Sequence, residues 1–598
     1  MLRKYIYILI LLFGSVFLAL PRAFAEDSSN ETTDEEVVVT ASRTEQTLSQ
    51  SPGYTEVITG EEIKESGKTT VAEVVSDQAI PVATNGGVSG VAMVQLDGSS
   101  AEQTLVLVNG IAANTGCAGS VDLSCFPVAG IQRVETVHGP LSSLYGANAL
   151  GGVVNIITDL TGGPQNEALF SGASFNTRNL GLNVQQNKWG IACGANFSDG
   201  FRERSQSDGN FLMAQYNFHD GQDDYLKLYF QAMNRTTQVP GPISWPSTDA
   251  QQTDHNFSVN LNGKNSLLQG LWEYKVYAQY LDVQYTEYSI PDRHQTWNGG
   301  FDCAGLYTAG NHELLVGLAL KHQFSDSSID QQHTQDSAGL FLQDSWSITE
   351  RANLTSGLRY DYYSNFPAPV SPRIHLSYAL TPEFTLKGGY GKAFRAPTMN
   401  DLYWDQSAYG MTGNPDLKPE QGERYDLTGV WKNGTHSLTV NLFHSNMTDG
   451  IRWVNTSGYN YTVDNIAKIK TTGANIQWEK TWNGFFTGKI GYRWLDEKGW
   501  NEAAQSFSDD LNVFGNQLDL GFGLRFERVN CRLGWKFAAN RNKQMPDYNT
   551  GNLRISYKPY KSVTWTFTVD NLTNQNYQVV KDYPMPGMEL KLTMNYLF

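Results

Sequence analysis

From Leu160 to the last residue, apolar and polar side chains alternate with a period of two. At the C-terminus, Met588, Leu590, Leu592, Met594, Tyr596 and Phe598 share one face, and Glu589, Lys591, Thr593 and Asn595 share the other. The segment before it sets Val563, Trp565, Phe567 and Val569 against Thr564, Thr566, Thr568 and Asp570. Alternation sustained over about ten residues predicts transmembrane β-strands. The strands of a soluble sandwich usually run to about five or six residues. Residues 161–598 number 438, which at about 22 strands leaves about 20 residues per strand and connection, the size class of a plugged barrel. Sixteen strands would leave about 27, a porin with long loops.

Ahead of the barrel the pattern is that of a small α/β domain. Thr70-Val71-Ala72-Glu73 has the spacing of a capping box and opens a short helix. Thr104 to Val108 is a continuous apolar strand ending in the turn pair Asn109-Gly110. Gly151-Gly152 leads into a second buried strand, Val153-Val154-Asn155-Ile156-Ile157. A simple porin has no use for such a domain. The expected fold is an all-β transmembrane barrel of about 22 antiparallel strands with an N-terminal α/β plug inside the lumen.

The first 25 residues read as an export signal: Arg3 and Lys4, an apolar run from Tyr5 to Leu20, and the small-x-small site Ala23-Phe24-Ala25. Its removal takes three basic residues and moves the formal charge from −16 to −19, an acidity that argues against a nucleic-acid partner. No later stretch approaches the roughly 18 apolar residues of a membrane helix. Residues 26–36 are polar and acidic and cannot bury enough surface to order themselves. The β-branched run Val37-Val38-Val39-Thr40 follows. The predicted organisation is a signal peptide at 1–25, a periplasmic leader at 26–54, a plug at 55–160 and a barrel at 161–598.

Of the five cysteines, Cys193, Cys303 and Cys531 fall in step with outward apolar positions and read as small hydrophobes. Cys117 and Cys125 flank a Gly/Ser/Asp loop; in an oxidising compartment a disulfide is the expectation there, with two buried thiols as the alternative. No catalytic arrangement is found. Gly67-Lys68-Thr69 imitates the end of a phosphate loop, but Glu62 stands where the first glycine should be. His312-Glu313 begins a zinc-protease pattern, but Val316 replaces its second histidine. No residue is assigned as a metal ligand, and no cofactor is required.

Several motifs together resemble the TonB-dependent outer-membrane transporters. They are Glu36-Val37-Val38-Val39-Thr40-Ala41, the run from Leu144 through Tyr145-Gly146-Ala147-Asn148-Ala149-Leu150-Gly151-Gly152, Lys392-Ala393-Phe394-Arg395-Ala396-Pro397, Gly413-Asn414-Pro415-Asp416-Leu417-Lys418-Pro419-Glu420, and Asn571-Leu572-Thr573-Asn574. The resemblance implies a monomeric barrel in the outer membrane, held in lipid. It also implies a TonB box at residues 36–41 that adds a strand to TonB, the link to an energising inner-membrane complex.

The loop from Asn114 to Pro127 is similar to the apical plug loop of the family's cobalamin carriers. That likeness implies a corrinoid cargo over Thr84, Asn85, Gly86, Thr115, Gly116, Cys117, Ala118 and Gly119, with Tyr403 and Trp404 as apolar wall. Ordinary turn chemistry is the alternative for the glycines. A ferric siderophore or haem is the alternative cargo. Haem receptors of the family carry a ligating histidine between the Phe-Arg-Ala-Pro and Asn-Pro-x-Leu landmarks, and residues 398–413 contain none.

Two departures from the family pattern bear on the structure. Loop calcium is doubtful, because Asp199, Asp208, Asp220, Asp223 and Asp224 do not form a dense alternating run. Many relatives also carry plug arginines where this chain has Asp97 and His138, facing two barrel glutamates whose counterparts here are Asp426 and Asn475. A single His138–Asp426 contact is therefore expected to replace that cluster. An adhesin with a static plug and an outer-membrane enzyme are the rival functions.

Overall fold

The computed structural model describes residues 37–598 apart from 79, 88–89, 115, 163–165, 502–505, 510–514 and 542–544. The signal sequence, the acidic leader, Glu36 and Thr115 lie outside the described residues.

Twenty-two antiparallel strands form a closed barrel, sealed where Glu167–Ala173 pairs with Glu589–Leu597. Strands run from 7 residues to the 23 of Asn460–Trp482. About 9–11 residues suffice to cross a bilayer, so the long strands project well beyond it. One rim carries tight turns such as 187–188, 268–269 and 310–311; the other carries longer connections at 199–206, 239–250, 396–419 and 571–588. Short turns mark the periplasmic rim and long loops the extracellular one.

Side-chain alternation follows the sequence pattern. Leu590 and Leu592 are 43% and 47% exposed toward lipid, whereas Lys591 and Thr593 are 6% and 4% exposed. Cys193 and Cys531 are free thiols in step with outward Ile191 and Phe537, and Cys303 alternates with inward Asp302 and Ala304. No helix among the described residues is long and apolar enough to cross a membrane.

Inside the lumen sits a five-stranded sheet in the order Thr55–Thr59, Ile131–His138, Gly152–Thr158, Thr104–Val108, Ile111–Ala112. Only Thr104–Val108 and Gly152–Thr158 run parallel. Asn109 and Gly110 both adopt positive φ, the backbone a two-residue hairpin turn requires. Helices Gly60–Ser66 and Val71–Asp77 open with full capping boxes, Thr59 with Glu62 and Thr70 with Glu73. Their apolar sides, Ile63, Val71, Val74 and Val75, pack with Leu96, Val106, Leu123, Val134 and Val154 into one core.

Apolar patches of this domain reach the barrel wall at Met213, Tyr229 and Met233 on one side and at Ala304, Leu315 and Phe341 on the other; the rest of the contact is polar on both sides. Lys68 pairs with Asp570 at 3.0 Å, Asp77 with Arg554 at 2.7 Å, Glu65 with Arg532 at 2.8 Å and Glu73 with Lys591 at 2.6 Å. Lys68, from the decoy phosphate loop, is thus a wall anchor, and Gly67 is the left-handed cap of the preceding helix. Between plug and wall a cavity of about 680 Å³ extends from Glu61 and Glu65 at the periplasmic rim to Thr84 and Gly87 near the top.

Candidate cargo site, box and plug lock

The segment expected to serve as the TonB box is docked from Val37 onward. Val37–Val38 pairs antiparallel with Gln46–Thr47. The Val39 and Thr40 N–H groups donate to Glu135 Oε2 at 3.1 and 2.8 Å, and Tyr145 Oη donates to the Thr40 carbonyl at 2.9 Å. Val38, Thr40 and Ala41 are buried. Arg43 then reaches the barrel at Asp302, 2.9 Å away. The sequence showed nothing apolar around this run; the folded plug and barrel supply its cover.

At the top of the plug, Thr84 ends a short hairpin formed by Val82–Thr84 and Ala92–Val94, and the Asn85 N–H closes it onto Val91 O at 3.1 Å. Gly86 and Gly87 take positive φ beside Phe201 and Pro586, where a side chain on Gly87 would press on the proline. This corner faces loops 199–206 and 571–588.

The second apical loop stands on Asn114, a buried strut: its Oδ1 accepts from the Val106 N–H at 2.6 Å and its Nδ2 donates to Thr104 O and Gly119 O. Gly116 to Gly119 forms the turn that follows, closed by the Gly119 N–H on Gly116 O at 3.2 Å. Gly116 faces open space and Ala118 is exposed, while Gly119 abuts Thr398 of the long loop.

The expected disulfide is absent. Cys117 and Cys125 are free thiols. Cys117 Sγ lies 3.6 Å from Thr296 Oγ1 on one wall strand. Cys125 Sγ lies 3.5 Å from Asp122 Oδ2 and 3.9 Å from Arg235 of another. Asp122 caps the Leu123–Cys125 turn and is clamped by Arg235, so the two thiols lie against different wall strands. Burial pushes both thiols' pKa up.

Above Cys117, Thr398 caps the helix Met399–Tyr403, and the Asn400 N–H donates to the Cys117 carbonyl at 3.2 Å. This places Tyr403 flat on His333, with ring centres 3.6 Å apart, and Trp404 against His294 and Trp453 at 6.5 and 6.3 Å. The structure thus brings Tyr403 and Trp404 over Gly116–Gly119, while the Thr84–Gly86 corner packs elsewhere. Sequence reasoning missed His294 and His333, which come from wall strands far away in the chain. Asp330, in the tight connection 328–330, is also buried here, and burial with Asp401 nearby pushes its carboxyl up to about 7.

Of the acidic residues weighed for calcium, Asp220, Asp223 and Asp224 belong to the short-turn rim, where Asp220 and Asp223 pair with Lys227 and Lys264. They are not extracellular loop ligands.

The lock between plug and wall differs from expectation. His138 does not take Asp426. Its Nδ1 lies 3.0 Å from Asp97 and its Nε2 3.6 Å from Glu56, both on the plug, while Asp426 approaches His375. The reason is a reversal of charge. The barrel supplies Arg424, 2.7 Å from Asp97, and Arg493, 2.8 Å from Glu56, and the plug supplies the acids. Asn475 does join, donating to Asp97 at 3.2 Å. Burial opposes ionisation of Asp97, but His138 and Arg424 overcome it and hold the carboxyl well below its usual range.

Burial also opposes charging of His138, and the Asp97 and Glu56 carboxylates outweigh it, so its pKa is raised. A raised folded-state value gives stability that is complete below the unfolded pKa of about 6.5 and is lost as pH climbs through the folded value. Denaturant unfolding of the plug is thus expected to need less denaturant at about pH 9 than at about pH 6, with His138→Gln reducing the difference. Equal midpoints at both pH values in the unmodified protein would contradict this.

A filled 22-stranded barrel with residues 37–43 docked on the plug and an apex lined by aromatic rings defines an outer-membrane receptor of the plugged class. A model of the TonB-dependent receptor plug domain matches residues 47–153, and one of the TonB-dependent receptor-like β-barrel matches residues 143–572; the chain belongs to this family. It is an integral, multi-pass outer-membrane protein of a Gram-negative-type bacterium, and its family is one of non-catalytic transporters. It is 26% identical over 97% of its length to a vitamin B12 transporter of Photobacterium profundum, spanning 98% of that protein. It is 27% identical over 77% of its length to the iron-regulated outer membrane virulence protein of Vibrio cholerae, spanning 74% of it. The solved structure of the siderophore receptor PirA from Acinetobacter baumannii has the same fold, with a TM-score of 0.78 at 16% identity over 92% of this chain and 99% of that one.

Proposed function

We propose that this transporter imports an iron chelate with flat or ring-bearing faces, of the siderophore or haem class, driven by TonB through residues 36–41. The observation that carries this reading is the ledge of rings, Tyr403 stacked on His333 and Trp404 parallel to His294 and edge-on to Trp453, over the small-residue turn Gly116–Gly119. Stacked rings present flat apolar faces with polar edges, which suit catechol or porphyrin planes. Residues 398–413 contain no histidine, but His333 and His294 of the wall strands stand beside Tyr403 and Trp404. The likeness to the iron-regulated protein of Vibrio cholerae agrees.

A second reading, corrinoid import, is favoured by the near full-length likeness to a vitamin B12 transporter. There Gly116, Cys117, Ala118 and Gly119 would allow close backbone approach to a bulky planar ligand, with Thr84, Asn85 and Gly86 as a more distant rim. Equilibrium titration of the detergent-purified mature protein with haem, a ferric catecholate, cyanocobalamin and cobinamide separates the two. Saturable one-to-one binding of an iron chelate is expected. The double variant Tyr403→Ala/His333→Ala is expected to weaken it by about tenfold or more, since aromatic stacking contributes roughly 0.5–1.5 kcal/mol per pair beyond area burial. Corrinoid binding without binding of either iron chelate would establish the second reading and overturn the first.

A further inference from the structure

Beneath the ring ledge, where plug meets wall, Cys117 Sγ, a ring nitrogen of His294 and a carboxylate oxygen of Asp330 lie within 4.8 Å of one another. They come from three separate parts of the chain: the apical plug loop, the wall strand Ile290–Ala309, and the connection before Gln331–Thr349. Cys117 is 4% exposed and Asp330 1% exposed. Asp330 Oδ1 is buried without a hydrogen-bond partner, an arrangement that costs free energy unless a ligand completes it. Asp330 Oδ2 is the oxygen that Asn400 reaches at 2.7 Å when its amide is turned to donate.

The surroundings hold these donors in place. Ser327 Oγ accepts the Ile329 and Asp330 N–H groups and meets His294 Nδ1 at 2.9 Å. Such an outer hydrogen bond orients a ligating imidazole and leaves Nε2 as its free donor atom.

We propose that this cluster is a binding site for a transition-metal cation of the zinc or copper class, formed jointly by plug and barrel. Thiolate, imidazole and carboxylate together are the donor set of such ions. Calcium and magnesium select oxygen-only cages. Metal–ligand bonds of about 2.0–2.3 Å put donor atoms about 3.5 Å apart in a tetrahedron, so closure asks for shifts of about 1 Å or a little more. Three protein ligands leave a fourth position for water or for a group on the cargo. On binding, the Cys117 S–H bond breaks, its proton passes to solvent and the sulfur lone pair goes to the metal; no electron is transferred. Cys117 belongs to the plug and the other two ligands to the wall. The ion therefore ties the plug apex to the barrel, and inward movement of the plug takes one ligand away.

The test does not depend on which cargo the transporter carries. Purified mature protein, stripped with a chelator and kept reduced without oxygen, is titrated with Zn(II) and with Cu(I). Bound metal is measured, and the rate of maleimide attachment to Cys117 is followed by peptide mass mapping. One tightly held ion per chain and at least a tenfold slowing of Cys117 labelling are expected. Asp330→Asn is expected to weaken binding by tenfold or more, Cys117→Ser to abolish the site, and Cys193→Ser on the lipid face to change nothing. Co(II) is expected to give a thiolate charge-transfer band that Cys117→Ser removes. Unchanged labelling of Cys117 in the unmodified protein with both ions present would overturn the proposal without recourse to any variant. So would equal metal content in Cys117→Ser.

Discussion

Deleting residues 36–41 is expected to bring energised uptake down to the background of cells lacking the protein, with cargo binding to the purified protein unchanged. Residues 37–41, the described part of this segment, make their hydrogen bonds away from the apex. Their partners are Gln46–Thr47, Glu135, Tyr145 and Asn155 on the plug, and Arg373 of the barrel wall, which donates to the Ala41 carbonyl at 2.8 Å. Strand addition to a partner sheet needs a free edge of backbone N–H and C=O groups. In the resting fold the Val39 and Thr40 N–H groups are held by Glu135, and Val38, Thr40 and Ala41 are buried. Engagement therefore requires the segment to leave its berth. A companion variant, Glu135→Ala, removes the acceptor and is expected to make the segment more accessible to protease while binding persists. Uptake that survives the deletion would show that the drive does not enter through residues 36–41, and an unmodified protein that binds cargo with no energised uptake would be an adhesin-like receptor with a static plug.

The second large effect concerns the charge-reversed lock. Asp97→Ala leaves Arg424 and His138 buried without their shared counter-charge. Breaking a buried ion pair from one side costs about 3–5 kcal/mol, because the remaining charge stays desolvated. The plug of Asp97→Ala is expected to unfold or leave the lumen at clearly lower denaturant, with the barrel signal little changed. Asp97→Asn, which keeps a hydrogen-bond acceptor for Arg424, is expected to lose less. An Asp97→Ala plug as stable as the unmodified one, read by protease protection across a denaturant series, would show that the lock contributes nothing to retention.

The parts of this molecule legible in sequence are those set by near neighbours along the chain. Leu590, Lys591, Leu592 and Thr593 announce an outward and an inward face through strand geometry alone. Thr70 and Glu73 announce a helix start because three residues bring a hydroxyl and a carboxylate to each other's backbone, and both hydrogen bonds form. The lock was not legible, since Asp97 and Arg424 meet across 327 residues and Glu56 and Arg493 across 437. The only local signal is that Arg424 and Arg493 sit at inward parity in their strands, a position shared with many uncharged residues. The disulfide expectation failed for a related reason. Cys117 and Cys125 are close in sequence, but each thiol lies against a residue of a different wall strand, Thr296 and Arg235, that the local sequence does not reveal. His294, Asp330 and Cys117 carry no shared motif at all: pairing of His294 with Ser327 in neighbouring strands sets the imidazole beside Asp330, and seating of the plug brings Cys117 to both.

The polar seam between plug and barrel sets what kind of event movement of the plug is. An apolar seam would act as an adhesive, and parting it would expose new greasy surface along the whole contact. Here Lys68, Glu65, Glu73 and Asp77 part from wall residues that water can solvate as well as they did, and the cavity of about 680 Å³ already brings solvent alongside. Parting these four pairs costs little once each is wetted, so the toll falls on the buried lock at Asp97 and Glu56 and on the apolar patches around Met233 and Phe341. A steady pull from one end would peel the pairs in turn, so the peak force is set by the strongest single pair and not by their sum.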